Sequence, residues 1–301
     1  YASAIVVIAT AINYYSIVVV GRIESYAVII KLAILLAFVA FGLYGLIGNP
    51  HLEQLSPEKW ESPFTLLVAG MVIFVAYEGF ELIANAAPDI ENPEKNIPRA
   101  YYFSVIFVIV LYVVIAATTV GSLNFKVIAT AEDYVLAEAA KPMLGKMGFT
   151  IITVAALIST FSAINASLYG GSRVSYEISE DDELPKAFTY QLWNQPVGLF
   201  ITAVATLILV NTLQLESIST AGSVGFLLIF AIVNLAGFKL AQNTGSRKSI
   251  PLIGAVACTF AMLALLVQHY SVSKSDVYIA IGIIFFSFLL EFGYKMLERR
   301  R

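Results

Sequence analysis

The apolar residues of this chain fall into long, nearly uninterrupted runs. A helix needs about 20 predominantly apolar residues to cross the hydrocarbon core of a bilayer. Nine runs reach or approach that length, and each is predicted to be a membrane-spanning helix. The predicted spans cover residues 1–20, 26–47, 64–87, 100–122, 148–171, 196–213, 218–238, 250–268 and 276–294.

Few of these spans are uniformly apolar. Most contain Gly, Ser, Thr or Asn, which are the residues that let bundled membrane helices pack closely. A transmembrane β-barrel is excluded, because its strands would be shorter and would alternate polar with apolar residues. The pattern therefore predicts an all-α integral membrane protein, with residues 1–301 forming a single transmembrane domain.

Composition narrows the class of protein. The chain is 59% hydrophobic and 13% charged, with a mean hydropathy of +0.82, whereas a typical soluble domain is about 25% charged. A water-soluble enzyme is excluded, and a net charge of −3 argues against a nucleic-acid partner. With Cys258 as the single cysteine, there is no intramolecular disulfide and no multi-cysteine metal site. His51 and His269 fall outside the predicted spans. Hydrolase and phosphate-binding motifs are also absent, so neither enzymatic activity nor a cofactor is predicted.

Basic residues in the loops predict the orientation, because cytoplasmic loops carry an excess of Lys and Arg. If the C-terminus is cytoplasmic, the inner segments carry twelve such residues and the outer segments five. The chain is therefore expected to be a multi-pass protein of the cell membrane with a cytoplasmic C-terminus. Tyr1 then lies outside and within an apolar run, which suggests that an odd number of helices precedes it.

The outer loop at residues 123–147 is long enough to form structure of its own. Its Thr130–Asp133 stretch resembles the capping box that begins a helix. The helix would start near Val135 and end at Pro142. We expect an extracellular amphipathic lid here, although a surface helix without a gating role explains the pattern equally well.

The third span combines a glycine with two carboxylates, Glu78, Gly79 and Glu81, near the predicted bilayer midplane. Charged residues are costly there and often mark a pathway or a relay. One interpretation is a broken helix whose backbone groups bind substrate, as in many secondary transporters. The alternative is a continuous helix in which Gly79 lets a neighbouring helix pack closely and the glutamates reach cytoplasmic water.

Lys31 is the only basic residue inside a predicted span, and the fifth span carries a stripe of small polar residues. Ser159, Ser162 and Asn165 recur at three-residue spacing, which places them on one helix face next to Thr160. Lys31 is either an ammonium that faces the bundle and exchanges a proton, or a side chain that extends to the membrane interface. The stripe is either a cation or proton site, or ordinary helix packing.

Three stretches resemble the amino acid–polyamine–organocation (APC) transporters, specifically their amino acid permeases. They are FVAYEGFE at residues 74–81 continuing to AAPDIENPEKNIPR at 86–99, ALISTFSAINASLY at 156–169, and AGSVGFLL at 221–228. The resemblance covers essentially the whole chain. It implies a LeuT-like bundle of twelve helices with five-plus-five inverted repeats. The nine spans then correspond to family helices four to twelve, so the first three helices are absent from this sequence.

The resemblance also implies roles for particular residues. The unwound sixth family helix contacts the amino acid, and some proton-coupled members carry in the fifth helix a lysine whose ammonium replaces a bound sodium. The eighth helix faces that lysine. The residues at these positions are Phe74, Ala76, Tyr77, Glu78 and Gly79 for substrate binding, and Lys31, Ser159 and Thr160 for proton coupling, with Ser162 as a further candidate.

Together these features predict a secondary active transporter that carries an amino acid with a proton by alternating access in the lipid bilayer. A sodium-coupled or exchange-type transporter of amino acids or polyamines with the same fold is the nearest alternative. A membrane scaffold subunit that transports nothing is the alternative from another functional class.

Overall fold

The computed structural model of the protein describes the backbone of residues 2–15, 17–47, 50–131, 134–181, 183–192 and 195–298. These residues are almost entirely helical, which confirms the all-α prediction. The only strands among them form a short antiparallel hairpin, β1 (Gln191–Leu192) and β2 (Gln195–Pro196). The α-helices are α1 (Ala2–Tyr15), α2 (Ile17–Gly45), α3 (Pro63–Val72), α4 (Pro93–Ser122), α5 (Phe125–Ala131), α6 (Val135–Glu180), α7 (Val197–Thr212), α8 (Leu215–Leu240), α9 (Ser249–Val272) and α10 (Lys274–Glu298).

Each of the nine predicted spans coincides with apolar helix in the described part of the chain. Six helices, α2, α4, α6, α8, α9 and α10, are long and apolar enough to cross a membrane. A bent pair of helical segments at Pro63–Met71 and Ile73–Ala84 makes a seventh. The apolar helices α1 and α7 are shorter. At 1.5 Å per residue, the 16 residues of α7 reach about 24 Å, less than the roughly 30 Å hydrocarbon thickness.

Two predicted loops are largely helical. We expect a connection near residues 21–25, but α2 already begins at Ile17. A single helical glycine costs only about 1 kcal/mol, and this stretch contains no proline, so the helix continues. The two prolines within residues 89–98 predict a rigid turn there, whereas α4 starts at Pro93 and includes Pro98. Proline suits the first helical position, since its missing N–H would have no helical partner there.

The segment at residues 123–147, called the outer segment after its predicted location, is helical at Phe125–Ala131 and from Val135 onward. Thr130 is not a capping residue, because it lies inside α5 and its hydroxyl donates to the Lys126 carbonyl at 3.0 Å. The rest of the expected capping box, residues 132–133, lies outside the described residues. The following helix passes through Pro142 and breaks at Gly145, which has a φ of 60° and a ψ of −147°. It therefore ends later than the sequence predicts.

The chain divides into two compact units. Unit 1 comprises residues 1–60, 82–177 and 188–205, and unit 2 comprises residues 61–81, 178–187 and 206–301. The single transmembrane domain predicted from the sequence remains a prediction.

Unit 1 has two apolar clusters. In the first, Phe38 of α2 and Ile152 of α6 pack with three buried alanines of the outer segment, Ala137, Ala139 and Ala140. The second cluster joins α1, α6 and α7 through Ala9, Leu168, Leu199 and Ala203. The apolar face of the outer segment is therefore packed against protein.

A glutamine ties two helix ends together within unit 1. The Gln54 side-chain amide donates to the carbonyls of Val120 and Leu123, each at 2.7 Å, and its oxygen accepts from the Phe125 N–H at 3.1 Å. Helix ends leave such carbonyl and N–H groups without intrahelical partners. One side chain thus satisfies the end of α4 and the start of α5.

Unit 2 is built around three continuous helices. Val224 and Leu227 of α8 pack with Ala261 and Leu265 of α9 and with Ala280 of α10. The bent third span lies against this cluster through Met71 and Phe74. The broken segment is therefore supported by helices that are themselves unbroken.

Candidate functional site

The third span is broken, which agrees with the first of the two interpretations of its sequence. Its α-helix ends at Val72, and the next two segments, Ile73–Tyr77 and Phe80–Asp89, are 3₁₀-helical. The axes of the two parts differ by 55°. Between the 3₁₀ segments, Gly79 adopts a φ of +114°, a conformation that glycine reaches without the steric cost of a Cβ.

The backbone at the break is held by a carboxylate. The Gly79 N–H donates to Glu81 Oε2 at 2.9 Å, and the Glu78 N–H donates to the Val75 carbonyl at 3.1 Å. A Cβ placed on Gly79 would meet nothing within 4 Å. The glycine is thus required by its backbone angle and not by close packing.

The side chains of the predicted substrate segment are partly accessible within unit 2. Ala76 and Glu78 are exposed, while Phe74 and Tyr77 are half-buried. Phe74 meets Phe230 of α8 edge to face, with ring centroids 6.0 Å apart. Rings at this distance and angle attract one another beyond simple area burial, so this contact anchors the segment to α8.

In unit 1, Lys31 meets the predicted polar stripe of α6. Its ammonium donates a hydrogen bond to Ser162 Oγ at 2.9 Å, and Ser162 is buried with 3% exposure. Lys31 lies six residues beyond Ser25, where the apolar part of α2 begins, which is about 9 Å along the helix. The structure therefore directs this ammonium toward α6.

A cavity of about 470 Å³ lies beside this contact. Lys31, Ser159 and Thr160 line it, together with Tyr134 and apolar residues of α2 and α6. Ser162 is not among the lining residues. Three of the four predicted coupling residues thus face one cavity, and the fourth holds the lysine.

Sequence reasoning missed Asn13, which pairs with the last member of the polar stripe. Asn13 Nδ2 donates to Asn165 Oδ1 at 2.5 Å and to the Ala9 carbonyl at 3.0 Å, and both asparagines are nearly fully buried. An amide inside the run at 1–20 was the available signal. A single amide at such a position does not stand out, because amides are common in packed membrane helices.

The comparisons with known proteins identify the family. A family profile described as amino acid permease matches residues 1–289, nearly the whole chain. This chain belongs to the amino acid permease family. The resemblance to APC transporters drawn from residues 74–99, 156–169 and 221–228 is thereby confirmed, as is the all-α permease fold.

Some relatives of this chain are proteins named as transporters. An uncharacterized protein of Methanocaldococcus jannaschii is 32% identical, over 98% of this chain and 68% of that protein. The inner membrane transport protein YbaT of Escherichia coli is 27% identical over the same shares. The branched-chain amino acid permease BcaP of Lactococcus lactis is 25% identical, over 89% of this chain and 61% of its own length. The family and these names point to a membrane transporter and not to an enzyme.

Proposed function

We propose that this permease takes part in proton-coupled symport of an amino acid by alternating access. The observation that carries the proposal is the hydrogen bond from Lys31 to Ser162 beside a cavity in unit 1. A charged lysine inside a span costs at least about 2.5–3.5 kcal/mol, so such residues tend to have a role. Hydroxyl oxygens are suitable partners for an ammonium and, in its absence, for a small cation.

In this proposal Lys31 alternates between two protonation states. The charged ammonium holds Ser162 and faces Ser159 and Thr160, which stabilises the outward-open or occluded form. The neutral amine binds the hydroxyl less strongly, since hydrogen bonds to charged groups are stronger, and the inner gate opens. Proton release would thus be linked to substrate release.

The broken third span is the proposed substrate segment. A helix break leaves backbone N–H and carbonyl groups for a ligand, as secondary transporters require. The Gly79 N–H already donates to a carboxylate oxygen, Glu81 Oε2. The α-carboxylate of an amino acid has the same chemistry and would take that place, with Phe74, Ala76, Tyr77 and Glu78 shaping the surroundings.

Two further features belong to the proposal. We place the C-terminus in the cytoplasm, because that orientation puts twelve of the eighteen Lys and Arg residues inside. Residues 123–147 then lie outside and act as a lid. The whole transporter is proposed to include helices beyond this chain, which spans 61–68% of the length of the three relatives named above.

The test is uptake by the full-length protein in proteoliposomes under separate proton and sodium gradients. Branched-chain amino acids are the first substrates to try, followed by methylthioribose, which is named for a Bacillus subtilis transporter 23% identical to this chain. Lys31→Ala should reduce proton-driven accumulation at least tenfold, because it removes the coupling group. The control variant Lys239→Ala changes an exposed lysine of α8 and should retain uptake.

Each other outcome contradicts a part of the proposal. Unchanged proton-driven uptake by Lys31→Ala would exclude the coupling role. Uptake that follows only the sodium gradient would favour the sodium-coupled alternative. An absence of saturable substrate binding in the unmodified protein would favour the scaffold subunit.

A further inference from the structure

Three potential metal ligands meet in unit 2 at one end of the α8–α9–α10 bundle. Glu216 lies in the first turn of α8, His269 in the last turn of α9, and Asp276 in the first turn of α10. His269 Nε2 is 3.6 Å from Glu216 Oε1 and 3.7 Å from Asp276 Oδ2. One ligand atom from each residue lies within 4.8 Å of the other two.

The cluster is buried on one side and open on the other. His269 and Asp276 are only 5% and 6% exposed, whereas the Glu216 side chain is 61% exposed. Within the described part of the chain, His269 is the only basic side chain that lies within 4.0 Å of either carboxylate. A buried carboxylate is costly without a cationic partner, so the arrangement favours a cation that both carboxylates share.

A hydrogen bond orients the buried carboxylate. Ser217 Oγ donates to Asp276 Oδ1 at 2.6 Å, which leaves Oδ2, the oxygen nearest to the histidine, for the cluster. Partners of this kind orient metal-ligating carboxylates. Thr220 Oγ1 lies 3.1 Å from His269 Nε2, the nitrogen that would bind the metal, so the hydroxyl gives up this contact when the metal binds.

We propose that Glu216, His269 and Asp276 bind a divalent transition metal ion, with Zn²⁺ as the first candidate. Tetrahedral bonds of about 2.0–2.2 Å place neighbouring ligand atoms about 3.3–3.6 Å apart, close to the two measured separations. One imidazole and two carboxylates suit zinc, whereas Ca²⁺ and Mg²⁺ prefer oxygen ligands alone. Water occupies the fourth position, and the exposed Glu216 provides the entry side.

The bound ion joins three helices that are separate in sequence. It lies among residues distinct from Lys31 and from the third span, so the inference stands independently of the proposed transport mechanism. Its expected effect is on the stability of unit 2, because a ligand that binds only the folded state raises the free energy of unfolding by RT ln(1 + [L]/Kd).

The test uses the full-length protein in detergent after treatment with a chelator. Bound zinc per chain is measured after desalting, and the unfolding temperature is measured with ZnCl₂, MgCl₂ or CaCl₂. We expect about one zinc ion per chain and a rise in unfolding temperature with zinc only. Glu216→Gln should weaken zinc binding about tenfold or more, since loss of even a supporting partner costs that much.

Glu216 is suited to this substitution because its exposed side chain has little part in packing. Glu291→Gln, which changes an exposed carboxylate of α10, is the matched control and should bind zinc as the unmodified protein does. His269→Gln and Asp276→Asn test the buried ligands and should abolish the zinc-dependent rise. If the Glu216 and Glu291 variants bind zinc equally, the assigned site is wrong. If no zinc binds when ZnCl₂ is added to the chelator-treated protein, the metal site is excluded.

Discussion

Two helices of this protein are interrupted at a glycine with positive φ, yet the interruptions differ in extent. At Gly79, 3₁₀ segments flank the break and replace α-helix across residues 73–89. At Gly145, α-helix continues on both sides and a single residue departs from helical angles. In neither case would an added Cβ meet an atom within 4 Å. Backbone angle alone therefore requires both glycines, and the flanking structure decides what each break can do.

The difference concerns which backbone groups become available. A one-residue break redirects the helix and returns at once to helical hydrogen bonding. An extended 3₁₀ region changes the hydrogen-bond pattern over several turns and places N–H groups where side chains such as Glu81 can reach them. Only the second kind of break suits ligand binding. Substituting three glycines by alanine tests this distinction.

Gly79→Ala should have the largest effect on transport. A Cβ at a φ of +114° costs about 1–3 kcal/mol unless the backbone rotates. Rotation would move the Gly79 N–H away from the Glu81 carboxylate that now accepts its hydrogen bond. We expect KM to rise and uptake to fall at least tenfold in proteoliposomes, in variant protein that still elutes as a single species from gel filtration. Wild-type uptake by this variant would mean that the break is structural only.

Gly145→Ala should affect stability more than substrate affinity. Its φ of 60° with a ψ of −147° is strained for any residue with a Cβ, at a cost of about 1–3 kcal/mol. Because the glycine lies outside the substrate segment, KM should stay unchanged while the unfolding temperature falls. A change in KM similar to that of Gly79→Ala would remove the distinction between the two breaks.

Gly282→Ala should have the smallest effect and the opposite sign. Gly282 lies inside α10 without a positive φ, and nothing occupies the space around its added Cβ. Alanine in a helix interior is favoured over glycine by about 0.5–1 kcal/mol. The unfolding temperature should therefore stay the same or rise slightly, with normal uptake. A clear loss of stability would contradict the view that backbone angle decides which glycines this protein requires.

Local properties of the sequence predicted much of the fold and part of the candidate site. Span length, the cost of Lys31 in an apolar helix and the weak helix propensity of Gly79 are all visible within a few residues. The continuation of α2 through residues 21–25 was not predicted, because charged residues next to a glycine are equally compatible with a loop and with a helix.

The sequence alone did not predict which distant residues form hydrogen bonds with one another. Asn13 and Asn165 are 152 positions apart, and Ser217 and Asp276 are 59 apart. His269 was placed outside the predicted spans, yet it is buried in the last turn of α9. Only the packing of α8 against α9 and α10 brings it to the two carboxylates. The sequence shows that residues able to bind a metal are present, but not that the fold brings them together.

Gln54, the glutamine that joins α4 to α5, has a consequence for the mobility of the outer segment. Its three hydrogen bonds share one side chain, so any movement that separates Gln54 from the two helix ends must release all of them together. At about 1 kcal/mol net for each bond, the released state is disfavoured roughly a hundredfold. A state in which Gln54 has left both helix ends is therefore rare, and the side chain restrains the start of the outer segment.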